Sequence, residues 1–332
     1  MGVSDAALYD RLAARPGWAA CALVLVGSAL ASFDGLSVPS ALAYAPLAAS
    51  VVVFGLPHGA VDYLVPARLG RLSLGASMAA VGALYAALGG SYAALWLVAP
   101  RPAAALFIGL TWFHWGQGDV HALRVFVGAG HLGSRPLRVA TGVVRGGLPM
   151  LVPLLAFPGR YRAVVETWVG LFGVDFTVWW LFAAETRLAA GALFLALTGL
   201  VLVWGYRRGG ATRAWRVDAG ETALLWLFFA TVSPLVAIGV YFCVWHSLRH
   251  VLRVSVVGGD ATTARATLAG FTRDAAPLTA VALLFLVVFA ALVPVSPTRP
   301  GEYVGLYLVF VAVLTLPHVA VVTWMDRREG VW

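Results

Sequence analysis

The sequence predicts an all-α fold, a polytopic integral membrane bundle of about ten spans, and three observations lead there. Of the 332 residues, 61% are hydrophobic and 11% charged, with a mean hydropathy of +0.87, whereas a soluble domain carries roughly 25% charged residues. Breakers and arginines divide the chain into runs of about 20 mainly apolar residues, the length that a spanning helix needs. The connectors, about 15 to 25 residues at their longest, are too short to bury a core of their own, so residues 1–332 are read as one membrane domain.

The runs fall near 17–33, 40–57, 73–98, 102–119, 139–157, 185–206, 219–233, 234–253, 276–294 and 303–324. The first is expected to be retained, because MGVSDAALYDRLAARPGW contains acids and lacks a compact basic region or cleavage site. Ser233 and Pro234 interrupt 219–253; read as one kinked helix, that stretch lowers the count to nine. The segment from Pro158 to Glu185 mixes Trp168, Trp179 and Trp180 with acids and arginines, and reads as an interfacial helix or a re-entrant piece.

With ten spans and a cytoplasmic amino terminus, 18 of the 23 arginines lie on the inner side. These include Arg68, Arg71, Arg327 and Arg328, and only Arg101, Arg160, Arg162, Arg187 and Arg299 remain outside. Such a bias places both termini in the cytoplasm and the chain in the cell membrane. The net charge of +8 is therefore read as topology, not as a nucleic-acid surface. The chain contains no lysine, which excludes a Schiff base, an amine nucleophile or a P-loop. Cys21 and Cys243 lie in separate apolar runs, so neither a disulfide framework nor a thiolate metal site is expected.

The histidines carry the chemistry. In this topology the second, fourth, eighth and tenth spans all run from outside to inside, and each has histidine near its inner end: His58, His114, His246 with His250, and His318. Ionisable rings gathered at one depth in a membrane imply a shared purpose. His246 and His250, in WHSLRH, are spaced i and i+4, which puts both rings on one helix face. Asp62 lies four residues after His58 and Asp119 five after His114. Metal-bound imidazoles commonly donate their second N–H to a carboxylate, which gives each acid an orienting role; Gln117 is a further polar partner. LPHGAV at 56–61 returns as LPHVAV at 316–321, although His318 has no acid close downstream. His121 and His131, in a basic connector, read as solvent-facing.

Imidazoles without thiolates suit iron, copper, zinc or nickel rather than calcium or magnesium. Aromatic surroundings, Trp112, Phe113, Trp115, Phe242 and Trp245, and the scarcity of polar lining residues favour iron with dioxygen and a substrate that arrives through lipid, with these rings as its tunnel. No HExxH is present, and Glu166, Glu185, Glu221, Glu302 and Glu329 read as connector or span-end residues, which disfavours a zinc hydrolase.

PHGAVD at 57–62, FHWGQGD at 113–119, WHSLRH at 245–250 and PHVAV at 317–321 together resemble the Brp/Blh family of β-carotene 15,15′-dioxygenases. The resemblance spans most of the chain. It implies a membrane non-haem iron enzyme that splits the central double bond of β-carotene, or of a related carotenoid, with O2 to give two all-trans retinal, a product suited to a rhodopsin. Carried over by position, His58, His114, His246 and His250 are the Fe(2+) ligands, with His318 as an additional site residue. Trp115 departs from the phenylalanine expected after FH, which alters the tunnel wall and leaves the ligand untouched. A membrane di-iron hydroxylase would need repeated HxxxH or HxxHH clusters, and one HxxxH is present. The remaining alternative is a haem b carrier or transporter that uses the histidines as axial ligands or a proton relay.

Overall fold

In hydrocarbon every backbone N–H and C=O must be paired within the chain, so an apolar run of spanning length folds as a helix. A computed structural model describes residues 5–33, 35, 40–70, 72–259 and 262–332; Arg71, counted above among the inner arginines, lies outside the described residues. The long helices are α1 (Asp5–Phe33), α2 (Leu42–Gly59), α3 (Leu74–Val98), α4 (Pro100–His121) and α5 (Arg135–Ala156). A shorter α6 (Pro158–Gly170) precedes α7 (Ala184–Gly209), α8 (Arg213–Thr231), α9 (Pro234–Val257), α10 (Ala264–Leu292) and α11 (Pro300–Glu329).

Among the described residues, eight of these helices are long and apolar enough to cross a membrane. Helices α4 and α8 are long as well, 22 and 19 residues, but bury His114, Gln117 and Asp119, and Asp218 and Glu221. The ten apolar runs thus correspond to ten long helices among the described residues. Ser233 does separate two helices, because α8 ends at Thr231 and Pro234 starts α9, where a proline's missing N–H costs no hydrogen bond. Ser73, Thr212 and Thr263 cap α3, α8 and α10 by accepting the N–H of Ala76, Trp215 and Ala266.

The Pro158–Glu185 segment forms α6 and a 3-10 turn at Trp179–Phe182. Helix α6 packs against α4, α5 and α11, with Val165, Trp168 and Val169 buried in the core beside Phe107 and Val309. It is a wall of the bundle rather than a surface appendage.

Two features set the height and rotation of α4. Gly116 and Gly146 stand where α4 meets α5: a Cβ on Gly116 would collide with the carbonyl of Gly142, and one on Gly146 with the carbonyl of Trp112. The backbones can therefore approach as only glycine permits. The second feature is buried charge. Arg145 of α5 pairs with Asp119 at 2.9 Å and with Glu221, and Arg249 of α9 pairs with the same two acids at 2.6 and 2.7 Å. Trp18 and Trp245 donate to Glu221 and Asp119 at 2.9 and 3.1 Å. Glu221, expected at a span end, is instead buried inside α8 as one corner of a neutral quartet.

His121 and His131 are likewise buried, contrary to the sequence reading. His131 Nε2 lies 3.1 Å from Asp218, and His121 lies 3.7 Å from Glu329. Both rings fill spaces that the connectors enclose against α8 and α11, so a basic neighbourhood in the sequence did not mean solvent.

Candidate metal centre

The histidine helices are locally irregular where they carry their rings. Helix α2 leaves helical geometry over residues 51–54 and resumes at Gly55–Gly59, so that His58 enters the bundle on a short second piece. In α9, residues Tyr241–His246 form a wider π turn, a feature frequent at functional sites. Pro317, without an N–H, interrupts the hydrogen-bond ladder of α11 beside His318, whereas Pro57, which likewise precedes its histidine, stands in the first turn of Gly55–Gly59, where the missing N–H costs no bond.

These elements bring His58, His114, His246 and His318 together. One ligand atom from each, all four rings buried, lies within 4.8 Å of the others. His114 Nε2 and His246 Nε2 are 3.0 Å apart, the separation expected of adjacent ligands held ~2.1 Å from one ion. The ring centroid of His58 stands 5.3 Å from that of His246 and 4.9 Å from that of His318.

The second nitrogens show which atoms face inward. His58 Nδ1 sits against the Gly55 carbonyl, which can only accept, so Nε2 carries the lone pair. His318 Nδ1–H donates to Asp62 Oδ2 at 2.8 Å, and its buried Nε2 has no protein partner. Gln117 donates its amide to Thr323 at 3.2 Å, which turns its oxygen toward His114 Nδ1 at 3.5 Å. His114 Nε2 and His246 Nε2 are close enough to share a proton or a cation, and the four converging donors are all imidazole nitrogens. The donor set therefore fits a metal ion of the kind that imidazole prefers.

Asp62 does more than orient one ring. Tyr85, from the π turn Tyr85–Gly89 of α3, donates its hydroxyl to Asp62 Oδ2 at 2.6 Å. His250 Nε2 lies 3.9 Å from Asp62 Oδ1, so Asp62, His250 and His318 form a second, overlapping cluster. The expected ligand set thus divides: His58, His114 and His246 meet, His318 stands as their fourth, and His250 sits one helical turn away beside Asp62. Asp119 touches no imidazole; Arg145, Arg249 and Trp245 occupy it. Tyr85 escaped sequence reasoning, and its one signal was a lone hydroxyl-bearing ring in the small-residue run GALYAALGG.

The histidines open onto a cavity of about 670 Å3, lined almost wholly by apolar side chains and including His58, His114, His246 and His318. On α4 its lining is Phe107, Ile108, Thr111, His114 and Trp115, one helical face. Of the five rings expected to line a tunnel, Trp115 and Phe242 do so. Phe113 points outward and is exposed, Trp112 donates to the Val143 carbonyl at 2.8 Å, and Trp245 lies under the Arg249 guanidinium. Helical rotation explains the first two, since residues 112 and 113 fall off the stripe that 107, 111, 114 and 115 share. Along its flank the cavity is bordered by exposed Met78, Gly82 and Ala86 of α3 and by exposed Val281, Phe285 and Val288 of α10, so it reaches the lipid-facing surface.

Known proteins resemble this chain over most of its length. The family model described as beta-carotene 15,15′-dioxygenase matches residues 49–326, which contain every histidine of the cluster. A relative from Halobacterium salinarum strain NRC-1, named probable beta-carotene 15,15′-dioxygenase Blh, is 49% identical over 348 residues and is covered, like this chain, in full. A second, from strain R1 and named probable beta-carotene 15,15′-dioxygenase Brp, is 31% identical over 329 residues, covering 90% of this chain and 88% of the relative. No solved structure matches the chain. Family match, full-length relatives and a buried histidine cluster above an apolar cavity converge, and the chain belongs to the beta-carotene 15,15′-dioxygenase family.

Proposed function

We propose that the protein cleaves the central double bond of β-carotene with O2, using iron held by His58, His114, His246 and His318, in the cell membrane with both termini cytoplasmic. The observation that carries this reading is the juxtaposition of four inward-facing imidazoles with a long apolar cavity that reaches the lipid surface. A hydrocarbon about as long as the membrane core is thick, roughly 30 Å, can reach such a cavity without crossing water. The 3.0 Å approach of His114 to His246 leaves no slot for a porphyrin plane, which sets this reading above a haem carrier. The excess of arginine on the inner side supports the orientation.

Ferrous iron, when bound, supplies the one-electron chemistry that lets dioxygen react with a closed-shell alkene. The chain's own residues do the rest. The Gly55 carbonyl, Asp62 and Gln117 hold three of the rings in the tautomer that keeps a lone pair inward. Trp115, tilted against His246, and Phe242, stacked on it, with centroids 5.9 and 6.3 Å away, flank the position of the scissile bond and keep the polyene from turning. The apolar lining excludes water, which protects a reactive site from side reactions. In the net reaction one C=C is replaced by two C=O, one oxygen atom of O2 goes to each aldehyde, and no outside reductant is consumed. The two retinals leave into the bilayer, where a rhodopsin can take them up.

The test is expression in bacterial cells that accumulate β-carotene, with chromatography of the pigments with and without oxygen and metal analysis of the purified protein. Oxygen-dependent bleaching to retinal with one iron per chain is expected. Unbleached cells containing inserted, iron-loaded protein would overturn the reading.

A further inference from the structure

The cavity extends from the histidines toward the N-terminal ends of α9 and α11, and its length can be read along both helices. On α11 its lining runs from His318 back to Leu308, ten residues and about 15 Å at the helical rise. On α9 it runs from His246 to Pro234, twelve residues and about 18 Å. A second cavity of about 200 Å3 begins there, and its walls include the polar side chains of Tyr44, Arg160, Thr167 and Ser233. Val164, Pro234, Leu235 and Leu308 line both cavities. They are the partition between an apolar chamber and a smaller one that adds polar side chains to its walls.

We propose that this partition is the stop that determines which double bond of a carotenoid lies at the histidines, and that it discriminates against carotenoids whose end ring carries a hydroxyl. The proposal rests on the carotenoid reading above. Half of a ~30 Å polyene is ~15 Å, which matches the distance from the histidines to the partition. β-Carotene is symmetric, so either ring pressed against Val164, Leu235 and Leu308 puts the central bond at the cluster. Position is thus measured from the end of the molecule, and the apolar walls need not recognise any single double bond. At the stop itself a ring hydroxyl would meet valine, leucine and proline side chains; the Tyr161 hydroxyl and the Trp168 indole line the chamber one turn to either side of Val164 on α6, and Thr167, Ser233 and Arg160 lie beyond the wall. A buried hydroxyl without a partner is disfavoured.

The test compares the wild type with Leu308→Ala and with Val164→Ala/Leu308→Ala, using Leu193→Ala, on the exposed face of α7 and lining neither cavity, as a control for insertion. Two readouts are taken: the products formed from β-carotene in cells, and the amounts of β-carotene and of its 3,3′-dihydroxy derivative retained by purified protein without oxygen. The wild type and the control should give retinal alone and favour β-carotene by about tenfold to a hundredfold. Thinning the wall should let the ring slide on, giving unequal pairs of long and short apocarotenals, and should reduce that preference to about twofold. Inserted variants that still give retinal alone with wild-type preference would overturn the stop and leave the substrate reading standing. A wild type that neither retains nor cleaves β-carotene would overturn both.

Discussion

Replacing Asp62 with asparagine separates the charge that backs the candidate metal centre from its shape. Asp62 Oδ2 accepts from His318 Nδ1 at 2.8 Å and from the Tyr85 hydroxyl at 2.6 Å, so an asparagine whose amide oxygen takes that position keeps both bonds. Its NH2 then points toward His250 Nε2, which has no hydrogen-bond partner in the native structure. The variant loses the negative charge with little cause to move. A carboxylate behind a ligating imidazole raises its basicity, and removing such partners weakens metal affinity by about tenfold to a hundredfold, which is about 1.4 to 2.7 kcal/mol. The assay is titration of purified metal-free protein with Fe(II), or with Co(II) as a spectroscopic surrogate, against a competing chelator. Asp274→Asn, which alters a carboxylate paired with Arg68 at 3.3 Å, serves as the reference. An Asp62→Asn protein that binds metal as tightly as this reference would refute the orienting role of the charge.

Two further outcomes are expected. His318→Ala removes a donor of the four-histidine group and should lower metal affinity by more than about a hundredfold, whereas His250→Ala should still purify with one metal per chain at reduced affinity; equal losses would place His250 among the donors. Arg145→Met leaves Asp119 and Glu221 to share Arg249 alone and should destabilise the folded protein by about 3 to 5 kcal/mol, read as a lower unfolding midpoint in detergent. An unchanged midpoint would remove the quartet from the forces that hold α4, α5, α8 and α9 together.

Much of this molecule was legible in its sequence because membranes restrict what a chain can do. Ten apolar runs became ten long helices among the described residues, and the break at Ser233 and Pro234 fell where proline chemistry puts it. The convergence of histidines was legible too, because helices of one orientation bring residues of one depth together. Which histidines meet was not. The HxxxH spacing of His246 and His250 places both rings on one face but one turn apart in height, so His246 meets His58 and His114 while His250 lies beside Asp62. Asp119 illustrates the same limit: its distance from His114 in sequence suggested an imidazole partner, yet the helix turns its carboxylate toward Arg145 and Arg249. The end of the cavity was invisible for a related reason, since α6 lies between spans in sequence and its packing against α4 and α11 appears only in three dimensions.

Charged residues beside a buried histidine cluster would be costly unless they secured something the cluster needs, and their partners show what that is. Arg249 joins α9 to Asp119 of α4 at 2.6 Å, and Arg253, one turn on, joins α9 to Asp326 of α11 at 2.6 Å. Those are the helices that carry His246, His114 and His318. Each acid stands C-terminal to the histidine of its own helix, by five residues on α4 and eight on α11, so the ion pairs tie the three helices together just beyond the level of the rings. In a bilayer, dispersion packing alone resists sliding and rotation of apolar helices weakly, because lipid tails are as apolar as leucine. A bidentate guanidinium between fixed carboxylates has a defined height and azimuth. A shift of one ångström would break these bonds, so the buried charges hold the imidazole-bearing helices in register while the quartet as a whole remains neutral.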